Sequence, residues 1–170
     1  MTGGTGASRA ELWSEGLQLL KTSPIFGIGH KMYSEEAGQV AHNSFLHAYT
    51  ELGLVGGVPF LGLFAILGWA LWKLNGAKRE IEHPGLRHLF PYITAMLVAY
   101  CLSMMSLSRS YGAPTYLMAG IGTAYLTLVQ PMTALPPIKL DGRVIRWLLI
   151  GSVGFIVFIY LYIKVLVRMG

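Results

Sequence analysis

Four long uncharged runs dominate the chain. They cover residues 52–72, 89–108, 110–138 and 147–163 and hold 21, 20, 29 and 17 residues. A helix needs about 20 apolar residues to cross the hydrocarbon core of a bilayer. The runs lack the alternation typical of a barrel strand, and a helix satisfies its own backbone polar groups in lipid. The pattern therefore predicts four transmembrane helices, at about residues 52–72, 89–108, 111–130 and 147–166.

The more polar residues 1–51 are predicted to lie outside the bilayer and to begin with an amphipathic helix. SRAE, residues 8–11, fits a capping box in which Ser8 and Glu11 each bond the other's backbone amide, so the helix is predicted from Arg9 to about Lys21. Apolar residues follow on one stripe, which suits a helix lying on the membrane or against other helices. The stripe consists of Leu12, Trp13, Gly16, Leu17 and Leu20.

Glycine marks two further features of this plan. PIFGIG, residues 24–29, reads as a turn whose glycines permit positive φ or close backbone approach. Gly53, Gly56, Gly57 and Pro59 open the first apolar run and predict a break or kink there. The sequence thus predicts an all-α integral membrane protein, with an external segment at residues 1–51 and a transmembrane domain at residues 52–170.

Composition and charge agree with this plan. Hydrophobic residues make up 54% of the chain and charged residues 12%, against about 25% charged in a typical soluble domain. The net charge of +5 indicates orientation rather than nucleic-acid binding, because the basic residues concentrate in two of the connections. Those residues are Lys73, Lys78, Arg79 and Arg87 after the first run, and Lys139, Arg143 and Arg146 after the third.

Only Arg109 lies between the second and third runs. By the positive-inside rule, the two basic connections are cytoplasmic, and Arg109 lies outside together with the N-terminal segment. The opening residues MTGGTGASRAELW lack the features of a signal peptide. We therefore expect the chain to be the C-terminal part of a longer membrane protein, in which an earlier span delivers this segment outside.

The stretch AHNSFLHAYTELG, residues 41–53, holds the candidate chemistry. His42 is either a general base or hydrogen-bond donor, or an interfacial histidine bonded to a neighbouring loop. Asn43 or Ser44 can cap the following helix. His47 and Glu51 are spaced i, i+4 and can form a modest pair if they are exposed.

Arg9 is a candidate anion ligand. A cation at the first helical position adds to the positive end of the helix dipole and favours phosphate, although a solvated surface arginine is the alternative. The sequence supports no metal site, since the external carboxylates are few and the spacing of His42 and His47 differs from that of a zinc-binding helix. The serine-rich SMMSLSRS, residues 103–110, is predicted to pack helices near the external interface.

The order SRAELW, PIFGIG, a polar loop, AHNSFL and ELGLVGG resembles the C-terminal half of the O-antigen ligase and polymerase superfamily. The resemblance covers residues 9–74 in motif detail. It implies a partial GT-C-like glycosyltransferase of the bacterial inner membrane that acts on the periplasmic face. Such enzymes move a glycan from undecaprenyl-pyrophosphate to lipid A core, a growing polysaccharide or a protein, without a metal or other cofactor.

The resemblance also implies roles for single residues. His42 matches the histidine implicated in activating the acceptor hydroxyl, and Arg9 matches the arginine expected to hold the donor pyrophosphate. Asn43 and Glu51 match positions with a supporting role. His30 and Lys31 depart from the residues usual after the glycine turn. The expected partners are the lipid-linked donor, its acceptor and membrane lipids; the competing hypothesis is a non-catalytic four-helix subunit or part of a transporter.

Overall fold

The computed structural model describes the backbone of residues 5–169 and the side chains of residues 9–165. All regular structure in this part of the chain is helical. The α-helices are α1 (Thr5–Thr22), α2 (Met32–Glu36), α3 (Ser44–Ala77), α4 (Pro84–Met104), α5 (Ala113–Val129) and α6 (Gly142–Met169). Two 3₁₀ turns, Lys78–Glu80 and Gln130–Met132, follow α3 and α5. The all-α prediction is confirmed.

Three helices are long and apolar enough to cross a membrane, judged by length and composition. They are Ser44–Glu80, Pro84–Met104 and Gly142–Val165. The third predicted span corresponds to α5, which has 17 residues and does not reach that standard within the described chain. The uncharged run is longer than the helix because Pro131, Pro136 and Pro137 follow it and cannot continue its hydrogen bonding.

α3 is the central element of the fold. It contacts α1, α2, α4, α5 and α6. At Gly53 its backbone leaves the helical region, with φ 61° and ψ −160°, so that two helical stretches join at a bend. The break predicted from the glycines is therefore confirmed, and Gly53 is the residue that supplies it. Residues 41–52, which lead into α3 and precede the bend, carry the candidate site.

Two apolar clusters hold the helices together. The larger joins α3, α4 and α5 and includes Phe64, Leu67, Leu97, Ala119 and Val129. The smaller joins α1 and α3 to α6 through Trp13, Leu17, Leu46, Ile159 and Ile163. Large apolar side chains on the outer faces of α4 and α6 stay exposed, as expected of helices that face lipid rather than water. The protein is a membrane protein.

α1 follows its predicted stripe but not its predicted start. Trp13, Gly16, Leu17 and Leu20 are buried, and α1 packs against α3 and α6. Thr5 already belongs to the helix, so Ser8 lies within it and is not the N-cap. The capping-box prediction is wrong, and Arg9 is beyond the first turn, where the helix dipole acts more weakly.

Candidate active site at the AHNS turn

The turn that leads into α3 exposes one side chain. Of residues 41–51, His42 alone is partly exposed and all others are buried. His42 is held at φ 50°, in the left-handed region. A non-glycine residue in that region costs energy that the surrounding structure must supply, and such residues cluster at functional sites. The fold therefore buries both neighbours of His42 and presents its imidazole.

Asn43 is the N-cap of α3. Its side-chain oxygen accepts hydrogen bonds from the backbone amides of Phe45 and Leu46, each 3.1 Å long. These bonds satisfy two amides that a helix start leaves without partners. Of the two caps that the sequence allowed, the structure uses Asn43. Ser44 is free for a different role.

Ser44 and His42 are tied to the loop between α4 and α5. The His42 amide donates to Ser108 Oγ at 2.9 Å. Ser44 Oγ donates to the Leu107 carbonyl at 2.5 Å and accepts from the Arg109 amide at 2.8 Å. Ser110 Oγ donates to the Ser44 carbonyl at 2.7 Å. Of the serines predicted to pack helices, Ser103 lies in α4, whereas Ser108 and Ser110 belong to a loop that holds the candidate site.

Trp13 attaches α1 to the same turn. Its indole Nε1 donates to the Ala41 carbonyl at 2.7 Å, and its ring is buried. Arg9 lies one helical turn before Trp13, so α1 brings Arg9 to the same region. The Arg9 side chain is exposed, and within the described residues it has no hydrogen bond or ion pair. The structure thus ties the helix that carries Arg9 to Ala41, the residue before His42.

The PIFGIG turn docks on the bend of α3. The Ile28 and Gly29 amides donate to the carbonyls of Thr50 and Glu51, both at 3.0 Å. In return, the amides of residues 54 and 55 donate to the carbonyls of residues 24 and 25. At the break, the backbone amides and carbonyls of α3 cannot all pair with each other as in a regular helix. The bonds to the turn satisfy these groups on both sides of the break. Positive φ at Gly27 and Gly29 confirms the glycine turn predicted from the sequence.

Glu51 is the centre of a buried polar cluster. Its side chain is 0% exposed, and Oε1 accepts from the Tyr33 amide at 3.1 Å and lies 3.2 Å from His47 Nε2. Oε2 lies 3.7 Å from Nδ1 of the half-exposed His30. The predicted His47–Glu51 pair therefore forms, but it is buried rather than exposed. Buried charges need such partners because removal from water disfavours them.

Two tyrosines enclose this cluster. The Tyr33 ring stacks on His47 with centroids 5.1 Å apart, and Tyr111 lies edge-on to His30 at 4.5 Å. Tyr33 Oη also donates to the Leu12 carbonyl at 2.6 Å. Burial, followed by the charge of Glu15, raises the pKa of the Tyr33 hydroxyl. Burial and the neighbouring Glu51 carboxylate raise the pKa of the Tyr111 hydroxyl. Both phenols are neutral near pH 7.

Sequence reasoning missed several members of this site. It noted His30 only as a departure from the residues usual after the glycine turn and did not consider Tyr33 or Tyr111. Each of these residues reaches the cluster through a contact distant in sequence, which local periodicity does not encode. Within the described range, the cluster of His30, His47 and Glu51 lacks an arrangement able to hold a metal ion.

Comparisons with known proteins bear on residues 1–61. That segment matches the family model described as O-Antigen ligase. No curated protein and no solved structure matches the chain. The matched segment contains α1, the glycine turn, the AHNS turn and the bend of α3, while the serine loop and Tyr111 lie outside it. The resemblance indicated by the motifs is thus confirmed, and residues 1–61 carry the signature of the O-antigen ligase superfamily.

Proposed function

We propose that this protein supplies the external catalytic face of an O-antigen ligase-like glycosyltransferase in the bacterial inner membrane. The donor is a glycan on undecaprenyl-pyrophosphate, and the acceptor is lipid A core, a polysaccharide or a protein. One observation carries the proposal. In a segment that matches the O-antigen ligase family, His42 is the one residue of 41–51 that is not buried, and its backbone is held at positive φ.

The proposed reaction needs a base for the acceptor and a cation for the leaving group. The acceptor oxygen forms a bond to the anomeric carbon, while the bond from that carbon to the pyrophosphate oxygen breaks. His42 takes the hydroxyl proton, and the pyrophosphate lipid leaves with the bonding electron pair. An imidazole suits the first task because its unperturbed pKa lies near neutrality.

Arg9 is the proposed ligand for the departing pyrophosphate. A guanidinium binds phosphate oxygens in a bidentate manner and stabilises charge that develops as the bond breaks. Its exposure on α1, one turn before the tryptophan that bonds Ala41, supports this role. Asn43 and Glu51 have supporting roles in the same proposal: Asn43 caps α3, and Glu51 joins α3 to the segment before it.

The proposal includes a four-span topology with residues 1–51 in the periplasm. α5 extends for 17 residues and continues into a 3₁₀ turn, which suffices for a thin or locally adapted bilayer. The basic connections after α3 and α5 then face the cytoplasm. Cysteine labelling at positions 30 and 78 tests this arrangement: position 30 should react from the periplasm and position 78 from the cytoplasm.

The decisive experiment is a histidine comparison in cells that express the full-length gene product. His42→Ala should abolish glycan transfer while the amount of protein in the membrane is unchanged. His88→Ala is the matched control, since His88 is exposed and lies near the start of α4; it should retain transfer. Normal transfer by His42→Ala removes His42 from the mechanism and leaves a non-catalytic membrane subunit as the better hypothesis.

A further inference from the structure

We propose that Arg109 is a second phosphate-binding residue of this site, and that it binds the pyrophosphate of a lipid-linked donor. The inference rests on the proposed function for the identity of the ligand. Arg109 lies in the loop between α4 and α5, outside the segment that matches the family model. Its assignment therefore comes from the contacts of that loop.

Hydrogen bonds place Arg109 beside His42. The residue before it, Ser108, accepts the His42 amide at 2.9 Å. The Arg109 amide itself donates to Ser44 Oγ at 2.8 Å. His42 and Ser44 are two residues apart, so two neighbouring residues of the loop pair with the two ends of one three-residue turn. The Arg109 backbone thus lies against the turn that carries the partly exposed His42.

The backbone of Arg109 is fixed on both sides. Its carbonyl accepts from Thr115 Oγ1 at 2.5 Å and from the Gly112 amide at 3.1 Å. Its amide is held by Ser44, and the neighbouring Ser110 Oγ bonds the Ser44 carbonyl. A residue with its backbone already ordered loses less conformational entropy when its side chain binds a ligand.

The side chain of Arg109 is available for an anion. It is exposed, and among residues 9–165 no carboxylate forms an ion pair with it. The buried carboxylate of the cluster, Glu51, has a fully buried side chain enclosed by His47 and Tyr111. Accessible basic groups of this turn and loop include His30, which packs against Tyr111, as well as His42 and the Arg109 guanidinium.

This set of groups fits a pyrophosphate. A guanidinium presents paired donors to phosphate oxygens, and the two imidazoles supply further donors to an anion that carries several charges. α1, which carries Arg9, bonds the turn at Ala41, and the loop that carries Arg109 bonds it at Ser44, so two arginine-bearing elements hold the turn that carries His42. A cation on each of two elements suits a ligand with two phosphate groups.

Binding of farnesyl pyrophosphate to the purified protein in lipid nanodiscs tests the proposal. Arg109→Gln should weaken binding at least about tenfold, the loss expected for one strong charge-assisted contact. The affinity of Arg109→Lys for farnesyl pyrophosphate should lie between those of Arg109→Gln and the wild type, because lysine keeps the charge but not the bidentate geometry. The matched control, Arg87→Gln, changes an exposed arginine near the start of α4 and should leave the affinity unchanged.

Farnesol, which lacks the pyrophosphate, completes the design. It should bind the wild type and Arg109→Gln equally, which also shows that the variant is folded. Equal farnesyl pyrophosphate affinity in wild type and Arg109→Gln overturns the assignment, as does a wild type that does not prefer farnesyl pyrophosphate to farnesol. If Arg109 governs this preference while His42→Ala still transfers glycan in cells, the anion site stands and the proposed function fails.

Discussion

Gly27 and Gly53 face each other backbone to backbone. A β-carbon on Gly27 would lie 2.5 Å from the Gly53 nitrogen, and one on Gly53 would lie 2.5 Å from the Gly27 nitrogen. Both residues have positive φ, 73° and 61°. Only glycine allows two main chains to approach so closely in these conformations. The external turn and the bend of α3 are therefore a single joint, and this joint determines where the AHNS turn sits above the membrane helices.

The first prediction concerns this joint. Gly27→Ala should destabilise the protein severely, because its β-carbon would collide with the Glu51 carbonyl group and no flexible side chain is there to move aside. We expect a loss of about 3 kcal/mol or more, as for other backbone strain combined with overpacking. Equilibrium unfolding in detergent measures the free energy.

Gly38→Ala separates collision from strain. Gly38 also has positive φ, 69°, but a β-carbon there would meet nothing within 4 Å. Gly38→Ala should lower the free energy of unfolding by only about 1–2 kcal/mol, the cost of holding a non-glycine residue in the left-handed region. Equal losses in the two variants would contradict the proposed joint.

Local pattern predicted the helices better than it predicted the site. Continuous apolar runs define membrane helices because the bilayer imposes a length, and the glycines before Pro59 marked the bend for a steric reason. Asn43 was identified because a helix cap has a local signature, and His42 was singled out by the motif that resembles the ligase family. The bond from His42 to Ser108 spans 66 residues, and no local pattern specifies such a pairing. Tyr33, Tyr111 and the serine loop were missed for that reason.

The second prediction concerns Glu51. Glu51→Ala should destabilise the protein by about 1–3 kcal/mol, because the buried Tyr33 amide and His47 lose their acceptor. Glu51→Gln should lower the stability less, since the side-chain oxygen of glutamine can still accept a hydrogen bond from the Tyr33 amide. Unfolding in detergent measures both, and the exposed Glu36→Gln on α2 serves as control. A Glu51→Ala protein as stable as the control would remove Glu51 as the centre of the cluster.

The third prediction concerns Ser44. Ser44→Ala removes the acceptor of the Arg109 amide and the donor to the Leu107 carbonyl. Hydrogen exchange at the Arg109 amide should become about three- to tenfold faster, which corresponds to the loss of one ordinary hydrogen bond. Ser106→Ala changes an exposed serine of the same loop and should leave this rate unaltered. The loop is not held by Ser44 if both variants exchange alike.

The fourth prediction concerns alkaline pH and Tyr111. Burial and Glu51 raise the pKa of its hydroxyl above the ordinary value, which is about 10 for tyrosine. The folded state therefore keeps a proton that the unfolded state releases above pH 10. This contribution to stability is fully present below about pH 10 and declines as the pH rises further.

Tyr111→Phe removes that titration. The variant should lose less stability than the wild type between about pH 10 and pH 11.5, a window set by the unfolded pKa of tyrosine. Unfolding measured at several alkaline pH values gives the slope for each protein. Parallel slopes would show that the Tyr111 hydroxyl is not shielded in the folded state.

The last prediction concerns Trp13, which connects α1 to the candidate base. Trp13→Phe keeps an aromatic ring against Tyr162 but removes the bond from Nε1 to the Ala41 carbonyl. The expected loss of stability is about 0.5–1.5 kcal/mol. Because Ala41 adjoins His42 and α1 carries Arg9, glycan transfer by the full-length protein should fall by a larger factor than this loss of fold explains. Trp72→Phe, at a tryptophan that is 73% exposed, should change neither property. If Trp13→Phe lowers stability as expected while transfer remains at the wild-type rate, α1 does not position the groups at the AHNS turn.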